Sequence, residues 1–287
     1  MKIDCKGMRE LELLNVEYKV NELKQYGIKP KLLIIQSGDR PDSNKYVKNK
    51  ISTLESIGIS TQLIKIDNTK FTTEKSLFKH IAANIEVANK DKHTHGIILQ
   101  LPLVGLSNEL SEVLLRRIDS KKDVDCLTPH NENLIYHNNA KVLPCTVSGI
   151  MALLEYMKIN LSGKRVLVVG RSNIVGKPLA LSLLNKDATV TIANSKTVNL
   201  KELVQSNEII ISCVGKINLI TQDMVNENHI LIDVGINFNS EGKMVGDINH
   251  DCYDIVKSYT SVPGGVGILT TMSVAYNLLN LITGGKI

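Results

Sequence analysis

The chain has 287 residues, 43% hydrophobic and 22% charged, above the ~250-residue size at which a single core stops growing, so two domains are expected. Its 34 Lys+Arg against 29 Asp+Glu give a net charge of +5, but the lysines are scattered rather than striped, which argues against nucleic acid and leaves small anions open. No apolar run approaches the ~18 residues of a membrane helix, and the opening MKIDCKGMRE has neither the apolar stretch of a signal peptide nor the Arg-rich character of a transit peptide; a cytoplasmic protein without a membrane partner is expected.

Ile, Leu and Val recur in short blocks while aromatics supply only 4% of the chain and Trp is absent, a composition suited to strands buried on both faces by helices. In chain order the blocks predict strands at Lys31–Gln36, Ser60–Ile66, Gly96–Gln100, Arg165–Val169, Ala188–Ile192, Glu208–Val214 and His229–Val234, with helical stretches between them. That alternation predicts an α/β fold with parallel sheets. A stretch poor in apolar clusters, Asp119–Lys141, separates the first three strands from the other four, so the boundary between two lobes is placed near residue 140. Helices are expected at Asp42–Gly58, at Thr146–Lys158 connecting the lobes, and at Thr270–Leu281, which packs back on the first lobe.

Several segments carry groups suited to chemistry. Tyr46 and Lys50 stand four apart on one helix face, and a lysine partly removed from water can serve as acid or base. Gln100 ends a strand, where an α/β sheet presents side chains to the crevice. Asp123 and Asp125 offer two carboxylates on a segment read as extended, where alternate residues point the same way. RVLVVGRSNIVGKP, Arg165–Pro178, reads as a strand, a tight turn starting at Gly170 and a helix opening near Ile174, whose backbone N–H groups favour a phosphate. Its glycines depart from G-x-G-x-x-G, since Ser172 and Val175 fill the second and third glycine positions and Gly176 comes one place later. The next strand ends Ala193-Asn194-Ser195-Lys196-Thr197 without the acid that would hold an NAD ribose; with Arg171, Ser195 and Lys196 present it suits the extra phosphate of NADP. SYTSVPGGVGILT, Ser258–Thr270, has the glycines of a loop that approaches a flat ligand or acts as a hinge. Five widely spaced cysteines without a C-x-x-C pair argue against both a disulfide framework and a zinc site, and His93 and His95 are too few ligands for a metal.

Taken together and in order, these segments resemble the bifunctional methylenetetrahydrofolate dehydrogenase/cyclohydrolase family. The matching elements are Tyr46-Val-Lys-Asn-Lys50, Gly96-Ile-Ile-Leu-Gln-Leu-Pro-Leu103, Lys122-Asp-Val-Asp125, Pro144-Cys-Thr146, Gly170-Arg-Ser-Asn-Ile-Val-Gly-Lys-Pro178, Asp233-Val-Gly-Ile-Asn237, Gly246-Asp247 and Val262-Pro-Gly-Gly-Val-Gly267. The resemblance implies two α/β lobes joined by long helices: a folate-binding catalytic domain over 1–140 with the C-terminal helix 270–287, and a Rossmann-like NADP-binding domain over 141–269, with folate and nicotinamide meeting in the cleft. It implies oxidation of 5,10-methylenetetrahydrofolate by NADP, hydrolysis of the methenyl product to 10-formyltetrahydrofolate, tetrahydrofolate derivatives as partners, and a homodimer.

Carried over by the same resemblance, Lys50 is the catalytic lysine, Gln100 holds it, and Asp125, counted with them, anchors the pterin through its amino-pyrimidine edge. Tyr46 stacks on the folate, and Pro263 and Gly264 border that pocket. Gly170, Arg171, Ser172, Ile174, Ser195 and Ile236 line the cofactor site, with Arg171 and Ser195 near the added phosphate. The family usually has Gly at Cys126, Asp at His95, Pro at Val104 and Ile268, and His at Asn194. Two other readings are a single-function NAD-dependent methylenetetrahydrofolate dehydrogenase, disfavoured by Lys50 and by the missing acid, and a non-catalytic nucleotide-binding module, which has no need of Tyr46, Lys50, Gln100 and Asp125 together.

Overall fold

The computed structural model describes residues 1–285. The first part of the chain runs α1 (Cys5–Gln25), β1 (Lys31–Ser37), α2 (Pro41–Ser56), β2 (Ser60–Ile66), α3 (Glu74–Lys90), β3 (Gly96–Gln100), α4 (Asn108–Leu115) and α5 (Pro129–Tyr136). The second runs α6 (Cys145–Tyr156), β4 (Arg165–Val169), α7 (Gly176–Leu184), β5 (Thr189–Ala193), α8 (Leu200–Ser206), β6 (Ile209–Ser212), β7 (Ile230–Asp233), β8 (Asn237–Phe238), β9 (Met244–Val245), β10 (Ser258–Tyr259) and α9 (Val266–Thr283). Contacts divide the chain into two compact units: Glu12–Cys145 together with the residues from Thr271 on, and Met1–Leu11 together with Thr146–Thr270.

The first unit holds a parallel sheet in the order β2-β1-β3. Successive β1 residues serve opposite faces, as the strand period requires. Leu32 and Ile34 join Val16 and Val20 of α1, Val47 and Leu54 of α2, and Leu278 of α9 in one core cluster. Leu33 and Ile35 join Leu77, Ile81 and Ile85 of α3 and Leu114 of α4 in another. Each fully buried Leu or Ile of this kind contributes about 1.5–3 kcal/mol, which is why KLLIIQS is apolar on both faces. The second unit holds a five-stranded parallel sheet in the order β10-β7-β6-β4-β5, whose core includes Leu167, Val169, Ile210 and Leu231 of the strands and Val204 of α8. The chain passes β4 to β5 in one direction and β6 to β7 to β10 in the other, so the order reverses between β4 and β6.

Two expectations shift and one helix is added. α7 opens at Gly176 rather than near Ile174: the Ser172 hydroxyl accepts hydrogen bonds from the N–H groups of Val175 and Gly176, 3.2 Å each, and residues 173–175 between them form a turn. The apolar-poor stretch after Asp119 contains a helix, α5, started by Pro129 at its first turn. α9 is long and apolar enough to cross a membrane by length and composition, contrary to the reading of the sequence. Half of it is buried, with Leu269, Met272, Val274, Ala275, Leu278 and Leu279 all nearly inaccessible, and it serves as a packing helix.

Candidate active site

In the first unit the polar residues gather beyond the carboxyl ends of β1 and β3. α2 starts with Pro41 in its first turn, and Asp42 takes two hydrogen bonds from Arg40, at 3.0 and 2.6 Å; the guanidinium, with help from the Ser43 N–H, holds the Asp42 carboxyl down at about 2. Gln36 at the end of β1 is 1% exposed and donates to Asn44 Oδ1 at 2.8 Å, tying the first turn of α2 to the sheet. One turn further along α2 comes Tyr46, whose phenol is raised above its ordinary value by burial and then by the Asp42 charge. Lys50 follows one turn later, half-buried, and its Nζ donates to Gln100 Oε1 at 3.0 Å. Gln100 in turn donates from Nε2 to the Leu101 carbonyl at 3.0 Å, which fixes its amide so that the oxygen faces the amine.

The Lys122–Asp125 segment turns instead of running extended, so its two carboxylates part company. Lys122 Nζ donates to the carbonyls of Ala88, Asn89 and Asp91, at 2.8, 2.9 and 2.7 Å, closing the C-terminal end of α3. Asp123 is 1% exposed and accepts from Leu127 N, Thr128 N and Asn131 Nδ2 at 3.1, 2.8 and 3.0 Å; burial raises its pKa against those bonds. It is a structural acid, and alternation does not put it beside Asp125. Asp125 stays half-buried. Cys126, next along, takes a left-handed φ of +55° and turns its thiol inward to the Val142 carbonyl at 3.3 Å, so the side chain that replaces the usual glycine is buried in the core.

Cys145, at the start of α6, is the site neighbour that the sequence did not single out. Its thiol is raised well above the usual range by burial first and by Asp125 next, through charge and a side-chain hydrogen bond, while the Lys50 charge acts in the opposite sense. Tyr46 and Lys50 lie one turn apart on α2 and Lys50 is bonded to Gln100, which puts these three together, while the Cys145 thiol lies 3.6 Å from the carbonyl of Val124, the residue before Asp125. Asn277 of α9 steadies the same corner, donating to the carbonyls of Val124 and Leu143 at 2.8 and 2.7 Å.

The second unit carries the other set. Gly170 has φ +133°, and a Cβ there would lie 2.6 Å from Cys213 Sγ and 2.9 Å from its carbonyl oxygen. A Cβ on Gly176 would lie 2.4 Å from the Gly170 carbonyl oxygen. Strand, turn and helix are thus packed too closely for side chains at these two positions, the close approach that a dinucleotide turn needs, although the spacing is not the usual one. Arg171, Ser172 and Ile174 of this turn are exposed. Val169 and Ala193 are register partners of β4 and β5, so Arg171 and Ser195 each stand two residues beyond a paired position on adjacent strands. Asn194 closes the turn at Ser195, its Oδ1 accepting from Lys196 N at 3.0 Å and its N–H donating to Thr197 Oγ1 at 2.8 Å; Ser195 and Lys196 are left exposed. An exposed guanidinium, a hydroxyl and an ammonium without an acid among residues 193–197 fit a phosphorylated ribose. Ile236, 44% exposed, follows β7. Pro263 and Gly264 are exposed on the loop after β10, where the Ser261 hydroxyl donates to the Pro263 carbonyl at 3.0 Å, and they belong to this second unit. Among the described residues no group of three or more His, Cys, Asp and Glu side chains could hold a metal ion; His95 Nδ1 accepts from the Lys31 N–H at 3.2 Å.

A parallel α/β unit with an amide-held lysine beyond its strand ends, and a second with a close-packed glycine turn and a basic corner, together define the class of nicotinamide-dependent enzymes. Comparison with known proteins narrows the class. Residues 3–125 match the tetrahydrofolate dehydrogenase/cyclohydrolase catalytic domain, and residues 144–285 match the NAD(P)-binding domain of the same family. The bifunctional protein FolD of Ligilactobacillus salivarius is 44% identical over 89% of this chain and 87% of its own length. The crystal structure of FolD from Campylobacter jejuni, a methylenetetrahydrofolate dehydrogenase/cyclohydrolase, superimposes with a TM-score of 0.92 at 34% identity, covering 99% of each chain. That of the Trypanosoma brucei enzyme, complexed with NADP and an inhibitor, gives 0.88 at 29% identity over 99% of this chain and 97% of its own. The chain belongs to the tetrahydrofolate dehydrogenase/cyclohydrolase family.

Proposed function

We infer that this chain runs both family reactions, oxidising 5,10-methylenetetrahydrofolate with NADP and hydrolysing the methenyl product to 10-formyltetrahydrofolate. NADP, when bound, accepts the hydride. The observation that carries the hydrolytic half is the 3.0 Å bond from Lys50 Nζ to Gln100 Oε1, because oxidation alone has no use for a held amine. In hydrolysis, water adds to the methenyl carbon and loses a proton, the bond from that carbon to N5 breaks, and N5 takes up a proton. A positioned amine can carry the proton between the two, and general acid–base catalysis of this type contributes about 10² to 10⁴-fold.

The remaining residues bind and orient. Tyr46 offers a ring for the pterin to stack on, and the Asp125 carboxylate accepts from the N–H donors of the amino-pyrimidine edge. Pro263 and Gly264 border the folate. Gly170, Arg171, Ser172, Ile174, Ser195 and Ile236 line the cofactor site, with Arg171 and Ser195 at the ribose phosphate. The folate-binding catalytic domain is assigned to residues 1–140 with the C-terminal helix and the NADP-binding domain to 141–269, although Met1–Leu11 group by their contacts with the second of these. The enzyme works as a homodimer in the cytoplasm, a compartment suited to the free thiols of Cys5, Cys126 and Cys252 in its core.

A single-function NAD-dependent dehydrogenase is the competing reading, and Lys50–Gln100 and Arg171 count against it. Steady-state assays with methylene- and methenyltetrahydrofolate, the former with NADP and NAD in parallel, decide between them. Turnover of both folates with a preference for NADP is expected; oxidation without hydrolysis, or equal use of NAD, overturns the proposal.

A further inference from the structure

The second unit contains a carboxylate that none of the roles above uses. Asp247, fully inaccessible, accepts from the Ser212 hydroxyl at 2.8 Å, from the consecutive backbone N–H groups of Val214, Gly215 and Lys216 at 2.8, 3.0 and 2.8 Å, and from Asn237 Nδ2 at 3.1 Å. Ser212 ends β6 and Val214, Gly215 and Lys216 lie on the loop leaving it, while Asn237 opens β8 at the end of the loop leaving β7. The fit around it is reciprocal: a Cβ on Gly235 would lie 2.0 Å from Asp247 Oδ1, and one on Gly246 would overlap Asp233. Asp233 accepts from Asp247 N and Ile248 N at 3.0 and 2.9 Å, so the carboxylate that ties the loops is itself held in place.

These loops stand at a particular point of the sheet. The strand order reverses between β4 and β6, and a dinucleotide lies across such a switch point with one nucleotide on each side. Arg171 and Ser195 occupy the β4–β5 side, which leaves the β6–β7 side for the other nucleotide. There Val214, Ile217 and Ile236 are 47, 39 and 44% exposed, an apolar surface suited to a flat ring, carried on the two loops that Asp247 joins.

We propose that Asp247 is a positioning residue for the nicotinamide half of NADP, fixing the β6 and β7 loops in one arrangement against which the ring is seated. This rests on the reading that Ile236 borders the cofactor. Without Asp247 three adjacent N–H groups lose a common acceptor and the loops lose their link, while the ribose-phosphate corner at β4–β5 keeps all its own bonds.

The test compares the whole cofactor with its phosphate-bearing half. Asp247→Asn keeps size but turns one acceptor into a donor facing N–H groups; titration with NADP should show affinity about 10- to 100-fold weaker, whereas adenosine 2′,5′-bisphosphate should bind within about twofold of the parent. A role confined to general stability of the unit does not split the two ligands, so a parallel loss of both overturns the proposal, as does unchanged NADP affinity. Should Asp247→Asn not fold, Asn237→Ala removes a single donor and is expected to give the same split at about 3- to 10-fold; the absence of a split there overturns the proposal equally. Ile236→Ser run alongside separates the two levels. If it leaves NADP affinity unchanged, the cofactor does not border these loops and the underlying reading falls with the proposal. If it weakens NADP while Asp247→Asn does not, the proposal alone falls.

Discussion

Replacing Gln100 by Ala isolates the contribution of holding Lys50 from that of the amine itself. The substitution removes the acceptor of the 3.0 Å bond from Lys50 Nζ and, with it, the bond from Gln100 Nε2 to the Leu101 carbonyl that oriented the amide. Hydrogen bonds to charged groups are worth about 1.5–3 kcal/mol. If that whole sum falls on the placement of the amine in the transition state, hydrolysis slows about 10- to 150-fold, at or below the low end of the about 10²- to 10⁴-fold loss expected from removing the amine altogether. Gln36 still ties α2 to β1 through Asn44, so the helix and Tyr46 should keep their places and dehydrogenase turnover should stay within about threefold, a loss near 0.6 kcal/mol. Single-turnover loss of methenyltetrahydrofolate absorbance, corrected for the uncatalysed rate, measures the first quantity, and steady-state NADPH formation the second. Gln100→Glu supplies a sharper check. A carboxylate beside the ammonium favours its charged form, so the ionisation seen in the pH–rate profile of hydrolysis should move to higher pH. Hydrolysis by Gln100→Ala at the parent rate, or an equal fall of both reactions, would refute the assignment.

Other consequences follow at separate places. Arg171→Ala should raise KM for NADP about 10- to 150-fold, the loss of one charge-assisted phosphate contact, with little change for NAD; equal effects on both cofactors would show that Arg171 does not meet the phosphate. Asp125→Asn should weaken folate binding in both reactions, since an amide turns a donor toward one pterin N–H; normal affinity by direct titration removes Asp125 from the site. Burial pushes the Asp233 carboxyl up to about 6 from its ordinary 3.8. The folded protein therefore holds a proton that the unfolded chain has released, and this group's contribution to stability falls as pH rises through that interval, by about 3 kcal/mol in all. In urea unfolding, the parent-minus-Asp233→Asn difference should fall between pH 4 and 7; a difference that is flat or rises contradicts the sign.

The inner strands were readable because burial on both faces favours aliphatic residues, as in KLLIIQS, where six of seven residues are buried, whereas β2 and β5, with one buried residue each, were marked by their alternation with helices. α1 was not, since it mixes buried Val16 and Val20 with exposed Leu11, Leu14 and Tyr18, which blurs the helical period. Tyr46, Lys50 and Gln100 were legible as chemical types at suggestive places, and the Lys50–Gln100 bond joins residues fifty apart that only the β1–β3 sheet brings together. The pairing of Asp123 with Asp125 misled because the segment turns at Val124, sending one acid inward. Cys145 and Asp247 gave no local signal: each matters through partners far away in sequence, and only the residues Pro144-Cys-Thr146 and Gly246-Asp247 of the family pattern marked them.

The account stands or falls on Lys50. Lys50→Met keeps the length and apolar stem of the side chain and removes the titrating group, while Tyr46, Asp125 and the cofactor residues are untouched. Hydride transfer needs two rings held together and no proton from the protein, so NADPH formation from methylenetetrahydrofolate should remain measurable. Hydrolysis of methenyltetrahydrofolate should drop by about 10² to 10⁴-fold, to the uncatalysed background. Methenyl hydrolysis by Lys50→Met near the parent rate would contradict the account and place the proton carrier elsewhere.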